Sequence, residues 1–154
     1  MESDDHAWLS DFLQEHWGAP IIVTCGQIHD ASDLQGFRAF SQQNQLQGVI
    51  TYSITGRECE IVSLDSLKEG IGVGTSLLRA VETVATEHGC RRVWLITSND
   101  NTRALRFYQK RGYRLVAIHR NAIDESRLLK PEIALVGNDG IEIHDEIELE
   151  LMLL

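Results

Sequence analysis

The sequence predicts an α/β fold in one domain, spanning residues 1–154. Three observations carry the prediction. The chain has 154 residues, 43% of them hydrophobic, which suits one domain with a real core. Strand-like and helix-like patterns alternate between residues 48 and 119. The final segment, residues 146–154, alternates apolar and polar with the period-two pattern of a sheet strand.

Taken in order, residues 7–17 put Trp8, Leu9, Phe12, Leu13 and Trp17 at the spacing of one helical face, and Gly18 and Pro20 end that helix. Residues 21–25 read as a buried strand, and residues 29–45 are polar and follow neither period. Residues 48–54 and 57–64 are strands joined by a two-residue turn at Thr55 and Gly56, hence a β-hairpin. After the glycine-rich stretch 70–74, Leu77, Leu78, Val81, Val84 and Ala85 form a helical stripe that Gly89 closes. Residues 91–97 have a continuous apolar centre, the pattern of a strand buried on both faces. Residues 98–101 form a polar loop able to cap the next helix, in which Ala104, Leu105 and Tyr108 share a face. Gly112 ends it, and residues 113–119 are a strand. A short helix over 122–129, a break at Pro131 and a turn over 137–140 lead to the last strand.

Charge narrows the function classes. Fourteen Lys and Arg against 23 Asp and Glu leave a formal net charge of −9, which repels nucleic-acid phosphates and anionic membranes. Cys25, Cys59 and Cys90 are odd in number and widely spaced, which suits a reducing compartment rather than a disulfide framework or a zinc ribbon. The six histidines show no ligand spacing, so no metal is expected. No apolar run approaches the roughly 20 residues a bilayer demands. The N-terminus is acidic, the reverse of a secretion signal, so the expected location is cytoplasmic.

The stretch Lys68 to Leu78 carries the first chemistry. Glycines at 70, 72 and 74 sit between a strand and a helix start near Thr75. Such glycines let a backbone approach a ligand, and the free N–H groups and dipole of a helix start favour an anion such as a diphosphate. A Walker A loop needs a lysine after its last glycine, and here Thr75 and Ser76 follow Gly74. A dinucleotide fingerprint needs an acidic residue ending the next strand, and that strand ends in Ile96, Thr97 and Ser98.

The stretch resembles the acetyl-CoA loop of the GNAT superfamily of N-acetyltransferases. That pattern is Gln or Arg, two residues, Gly, one residue, then Gly or Ala, and it falls here on Glu69, Gly70, Ile71, Gly72, Val73 and Gly74. Glu69 departs from it, and Lys68 is a candidate for the missing positive charge. A second signature follows: Asn101, then Ala104 three positions later and Tyr108 seven positions later, with a Lys-x-Gly-aromatic ending at Lys110 to Tyr113. This is similar to the family's second CoA-side helix. The resemblance spans residues 48–119 and, loosely, the final strand. The N-terminal quarter departs, since the family usually opens with a strand, and residues 121–145 exceed the usual connection.

The resemblance implies a mixed, mostly antiparallel sheet flanked by helices, with acetyl-CoA as acetyl donor to a primary amine. It implies that the backbone of Val62, Ser63 and Leu64 meets pantetheine and polarises the acetyl carbonyl, that residues 69–75, Thr75 included, hold the diphosphate, and that Asn101 and Ala104 meet the CoA arm. Tyr108 would protonate the departing thiolate. For the base, Glu60 looks like the strand glutamate of the histone acetyltransferase branch, with His119 and ordered water as alternatives. A non-catalytic acyl-CoA-binding or sensing module on the same fold is the rival reading. The acceptor stays open among polyamine, amino acid, antibiotic, peptide and protein lysine. Over residues 121–145, six acidic residues face two basic ones, which favours a cationic small-molecule or peptide acceptor; a homodimer contact is the other use of that segment.

Overall fold

The structure is a computed structural model that describes residues 3–17, 21–24, 26–68 and 70–154. Helix α1, Ser3–Trp17, is followed by a separate two-stranded sheet of β1, Ile21–Thr24, and β2, Gln27–Asp30. The main sheet uses β3, Gln35–Phe40; β4, Leu46–Thr55; β5, Glu58–Ser66; β6, Arg92–Ser98; β7, Arg114–His119; and β8, Glu146–Met152. Helices α2, Val73–Glu87, α3, Thr102–Lys110, and α4, Ala122–Leu129, lie between those strands in the chain. The sheet order is β3-β4-β5-β6-β8-β7, and every pairing is antiparallel except β5 with β6. This is the mixed, mostly antiparallel sheet flanked by helices that the resemblance implied.

The predicted helices and the strands from 48 onward are present with ends displaced by a few residues. The hairpin turn lies one residue later than expected, at Gly56 and Arg57, because Thr55 still pairs with Glu58. Gly56 carries the turn's positive φ of 60°. Residues 21–24 do not join the main sheet; they pair with residues 27–30 in their own hairpin. The polar stretch that followed neither period holds the end of β2, a 3-10 turn at Ala31–Asp33 and the edge strand β3. The expectation that β6 is buried on both faces holds on one only: Val93 and Leu95 are fully packed, while Trp94 and Ile96 are half-buried.

Two cores flank the sheet. One gathers Leu77, Leu78 and Val81 of α2, Tyr108 of α3, and Ile50, Cys59, Ile61, Val93 and Leu149 of the strands. The other gathers Leu9, Phe12 and Leu13 of α1 with Ile22, Leu34, Val49 and Val62. Gly48 lets α2 pack closely on β4: a Cβ there would stand 2.7 Å from Val73 Cγ1.

The sheet then opens. β5 pairs with β6 only from Glu58↔Arg92 to Ile61↔Leu95, although both strands continue beyond. At that point the β4 partner jumps from Ile61 opposite Tyr52 to Ser63 opposite Thr51, leaving Val62 as a bulge. Bulges sharpen local twist and end pairing. The result is a split between the ends of β5 and β6, with backbone of residues 62–66 released from β6. Among the described residues, no helix is long and apolar enough to cross a membrane.

Candidate active site at the split in the sheet

Two cavities meet at this split. The larger, about 720 Å³, runs from Leu64 and Ser66 past Gly70, Gly72, Gly74 and Thr75 to Asn101, Ala104 and Tyr108 of α3. The smaller, about 420 Å³, lies on the opposite face, where Trp17, Thr24, Val62, Ile96, Ile133 and Glu146 contribute to its walls. Asn101 lines both. Both volumes lie in the range of small-molecule sites.

The larger cavity is built for an anion. Gly72 caps α2 in the left-handed region, at φ 79°, and no side chain caps the helix start. The first N–H groups of a helix lack intrahelical partners, so here backbone donors are left facing the cavity. Gly74 lies inside the helix, where a Cβ would stand 3.3 Å from the Phe107 ring. Arg111 bridges α2 and α3: its Nε donates to Thr75 Oγ1 at 2.8 Å, its Nη1 donates to the Phe107 carbonyl at 2.8 Å, and its guanidinium lies 3.7 Å over the Phe107 ring. Arg103, Arg106 and Lys110 complete a basic wall. These four cations are not among the residues expected from the sequence, yet the spacing 103, 106, 110 places three of them on one helical face. The net charge of the whole chain hid them.

Of the residues expected to hold CoA, Leu64, Gly70, Gly72, Gly74, Thr75, Asn101, Ala104 and Tyr108 line the larger cavity. Val62 lines the smaller one. Ser63 is buried with its hydroxyl 2.6 Å from Thr51 Oγ1. Val73 turns its side chain into the core, and Ile71 is exposed outside the cavity wall. Glu69 lies outside the described residues. Lys68 is exposed and not part of that wall; the positive charge comes from α3 instead. Asn101 is the N-cap of α3, its Oδ1 accepting from the Ala104 N–H at 3.1 Å.

Tyr108 is buried, edge-on to Phe107 and Tyr113 at centroid distances of 5.1 and 5.4 Å. Burial, and secondarily the charge of Asp65, push its phenol well above the ordinary tyrosine range, so it keeps its proton. Glu60 is not solvent-facing: it is 5% exposed, accepts from Thr24 Oγ1 at 2.9 Å and lies 3.4 Å from His29 Nε2. His119 sits away from both cavity walls, 3.2 Å from Glu148, in a cluster with Arg92, Glu58 and Glu150.

Residues 121–145 do reach the site. Ile123, Lys130, Ile133, Ala134 and Ile143 form one side of the smaller cavity. Arg127 holds that side together, donating to the carbonyls of Ile133, Ala134 and Ile143 at 3.3, 2.6 and 2.7 Å. Part of the acidic excess is engaged inside the segment: Asp124 pairs with Arg127 and His144, Glu142 pairs with His144, and Asp145 accepts the Asn121 N–H, while Glu132 stands on the cavity wall. The wall is mostly apolar, with Lys130 and Glu146 as buried charges and Glu132 as an exposed one; burial pulls the Lys130 ammonium below its usual range.

Comparison with known proteins agrees with this geometry. Residues 3–113 match the acetyltransferase (GNAT) family, so the atypical N-terminal quarter falls within the match. The uncharacterized proteins YdhI and YxbD of Bacillus subtilis (strain 168) are 48% and 44% identical, over 90% and 92% of this chain and 87% and 89% of theirs. A solved Bacillus subtilis acetyltransferase in complex with CoA superposes with a TM-score of 0.70 at 21% identity, covering 100% of this chain and 95% of that one.

Proposed function

The chain belongs to the GNAT family of acetyltransferases, and on that premise we propose that it moves an acetyl group from acetyl-CoA to a small primary amine. The observation that carries this reading is the meeting of the two cavities at Asn101, where the sheet splits. The larger cavity fits CoA by its chemistry: backbone donors at the α2 start face phosphate oxygens, and the α3 cations neutralise them. Acetyl-CoA supplies an activated thioester. The released backbone of residues 62–64 then lies beside the reacting carbonyl, where one N–H aimed at a developing oxyanion contributes about 3 kcal/mol. Tyr108, keeping its proton, donates a hydrogen bond to the sulfur as charge develops there. The amine attacks directly from the smaller cavity, with no covalent enzyme intermediate. Its mostly apolar wall and volume near 420 Å³ support an amine with an apolar body rather than a long polycation. Glu60 is the base this reading favours over His119, because its hydrogen-bonded neighbour Thr24 lines that cavity.

The test has two arms. Acetyl-CoA should raise the melting temperature, since a ligand bound only by the folded state stabilises it. CoA release from acetyl-CoA should then rise on adding butylamine or phenethylamine. A thermal shift with no amine-dependent release would leave an acyl-CoA-binding module.

A further inference from the structure

Thr24, His29 and Glu60 form one buried cluster that ties the small hairpin to the central strand. Thr24 Oγ1 donates to Glu60 Oε1 at 2.9 Å, His29 Nε2 lies 3.1 Å from the same hydroxyl, and it lies 3.4 Å from Glu60 Oε2. The three are 8%, 6% and 5% exposed. Thr24 alone of the three also lines the smaller cavity. A hydroxyl has one proton to give and two lone pairs to receive. The Thr24 proton goes to Glu60. Its hydroxyl oxygen therefore accepts from His29, which requires the proton of that ring to sit on Nε2. Among the described residues the second lone pair has no donor, and it belongs to a residue on the cavity wall.

We propose that Thr24 receives the proton of the attacking amine and passes its own to Glu60, with His29 as the positioning residue that orients the hydroxyl. The proposal rests on reading the smaller cavity as the acceptor site. As the nitrogen–carbon bond forms and the carbon–sulfur bond breaks, one proton leaves nitrogen for Thr24 Oγ1 and the Thr24 proton moves to Glu60 Oε1. Glu60 becomes a neutral acid, the leaving thiolate gains a proton from solvent through the open cleft, and Glu60 returns its own to solvent. Nothing is oxidised or reduced. This assigns Glu60 its proton without direct contact with the acceptor, in keeping with its place behind the cavity wall.

The experiment reads CoA release from acetyl-CoA with water alone and with butylamine or phenethylamine. Thr24→Val should lower both turnover rates about 100-fold, the lower end for a general base. Thr24→Ser should restore most of each. Glu60→Gln should match Thr24→Val, and the double variant should lose no more than either, since both serve one path. The Michaelis constant and thermal shift for acetyl-CoA should stay at wild-type values throughout. Independently of turnover, the nitrogen spectrum of His29 should show a protonated Nε2. Wild-type turnover in Thr24→Val, or an unprotonated Nε2, overturns the proposal. If neither amine raises release above the water rate, the amine reading fails, and Thr24 is still judged on the water rate.

Discussion

Asn138 donates twice to the same oxygen of Asp100, from its backbone N–H at 3.0 Å and its Nδ2 at 3.1 Å. Asp100 is 4% exposed and precedes Asn101, the residue common to both cavities. Its neighbour Asn99 accepts from the N–H groups of His144 and Asp145 at 3.0 Å. The segment that walls the smaller cavity is therefore fastened to the loop that starts α3. From sequence, shortening residues 134–143 is expected to raise the Michaelis constant for the amine and leave that for acetyl-CoA unchanged. With these bonds in place, both constants should rise, the amine's more. Steady-state kinetics with each substrate varied checks this.

Gly137 gives a point test of the same fastening. A Cβ there would stand 2.1 Å from Asp100 Oδ2 and 2.7 Å from Ile143 Cδ1, so the loop must back away. Gly137→Ala should cost about 1–3 kcal/mol, the cost of disrupting buried hydrogen bonds and packing. At this chain length that is a fall of roughly 3–10 °C in melting temperature. An unchanged melting curve would show the fastening to be slack.

Gly72 and Gly74 should both lose most of the thermal shift given by acetyl-CoA, for different reasons. A side chain at Gly72 meets nothing within 4 Å, but its φ of 79° is unfavourable for any L-residue by about 1–2 kcal/mol. Relieving that strain turns the helix-start N–H groups away from the cavity. A side chain at Gly74 presses on Phe107 instead, over which Arg111 is stacked. Gly74→Val should therefore also lower the melting temperature of the ligand-free protein by more than Gly72→Ala does. Scanning fluorimetry with and without acetyl-CoA separates the two.

The sequence made α2, α3 and the hairpin strands legible because their patterns are local: an apolar stripe, a cap, a glycine stop. The GNAT signatures are local too, which is why the cleft lined by Gly72, Gly74, Asn101 and Tyr108 was expected before the fold. What stayed hidden depends on contacts between distant residues. The Val62 bulge is defined only against β4. The burial of Glu60 depends on a hairpin at residues 21–30 whose strands are four residues each, too short to show a period. Ion pairs such as Asp124 with Arg127 are likewise invisible in composition, so the acidic count over 121–145 says nothing of which carboxylates reach the smaller cavity.

Arg106→Ala and Lys110→Ala should each raise the Michaelis constant for acetyl-CoA about fivefold, roughly 1 kcal/mol for a partly solvated charge-assisted contact. Turnover should hold, because these side chains lie away from the reacting carbon. The effect should shrink between 50 and 500 mM salt, as screening weakens exposed ion pairs. A salt-independent change would point to packing instead.

Alkaline stability should follow Cys59. Burial pushes its thiol up to about 12, against an ordinary value near 8.5 in the unfolded chain. The raised folded value means the unfolded state sheds its proton first. Stability is thus fully present below about pH 8.5 and declines as pH rises toward 12, by up to about 1.4 kcal/mol per pH unit. Cys59→Ala should flatten this decline while lowering stability at neutral pH through the cavity it leaves. Chemical denaturation across pH 7 to 10 measures both.

Tyr108→Phe should lower turnover about 10- to 100-fold and leave the Michaelis constant for acetyl-CoA within about twofold. The ring's packing against Phe107 and Tyr113 survives the change, and only the donor to the developing sulfur anion is lost. The pH dependence sharpens the test. Burial and then the Asp65 charge raise the phenol above its ordinary value of about 10, so the donor persists through neutral and mildly alkaline pH. The ratio of wild-type to variant turnover should therefore stay constant from pH 7 to about 9.5. A ratio near one at every pH would leave Tyr108 as core packing, and a ratio collapsing below pH 9 would mean that its phenol ionises in an exposed, ordinary environment.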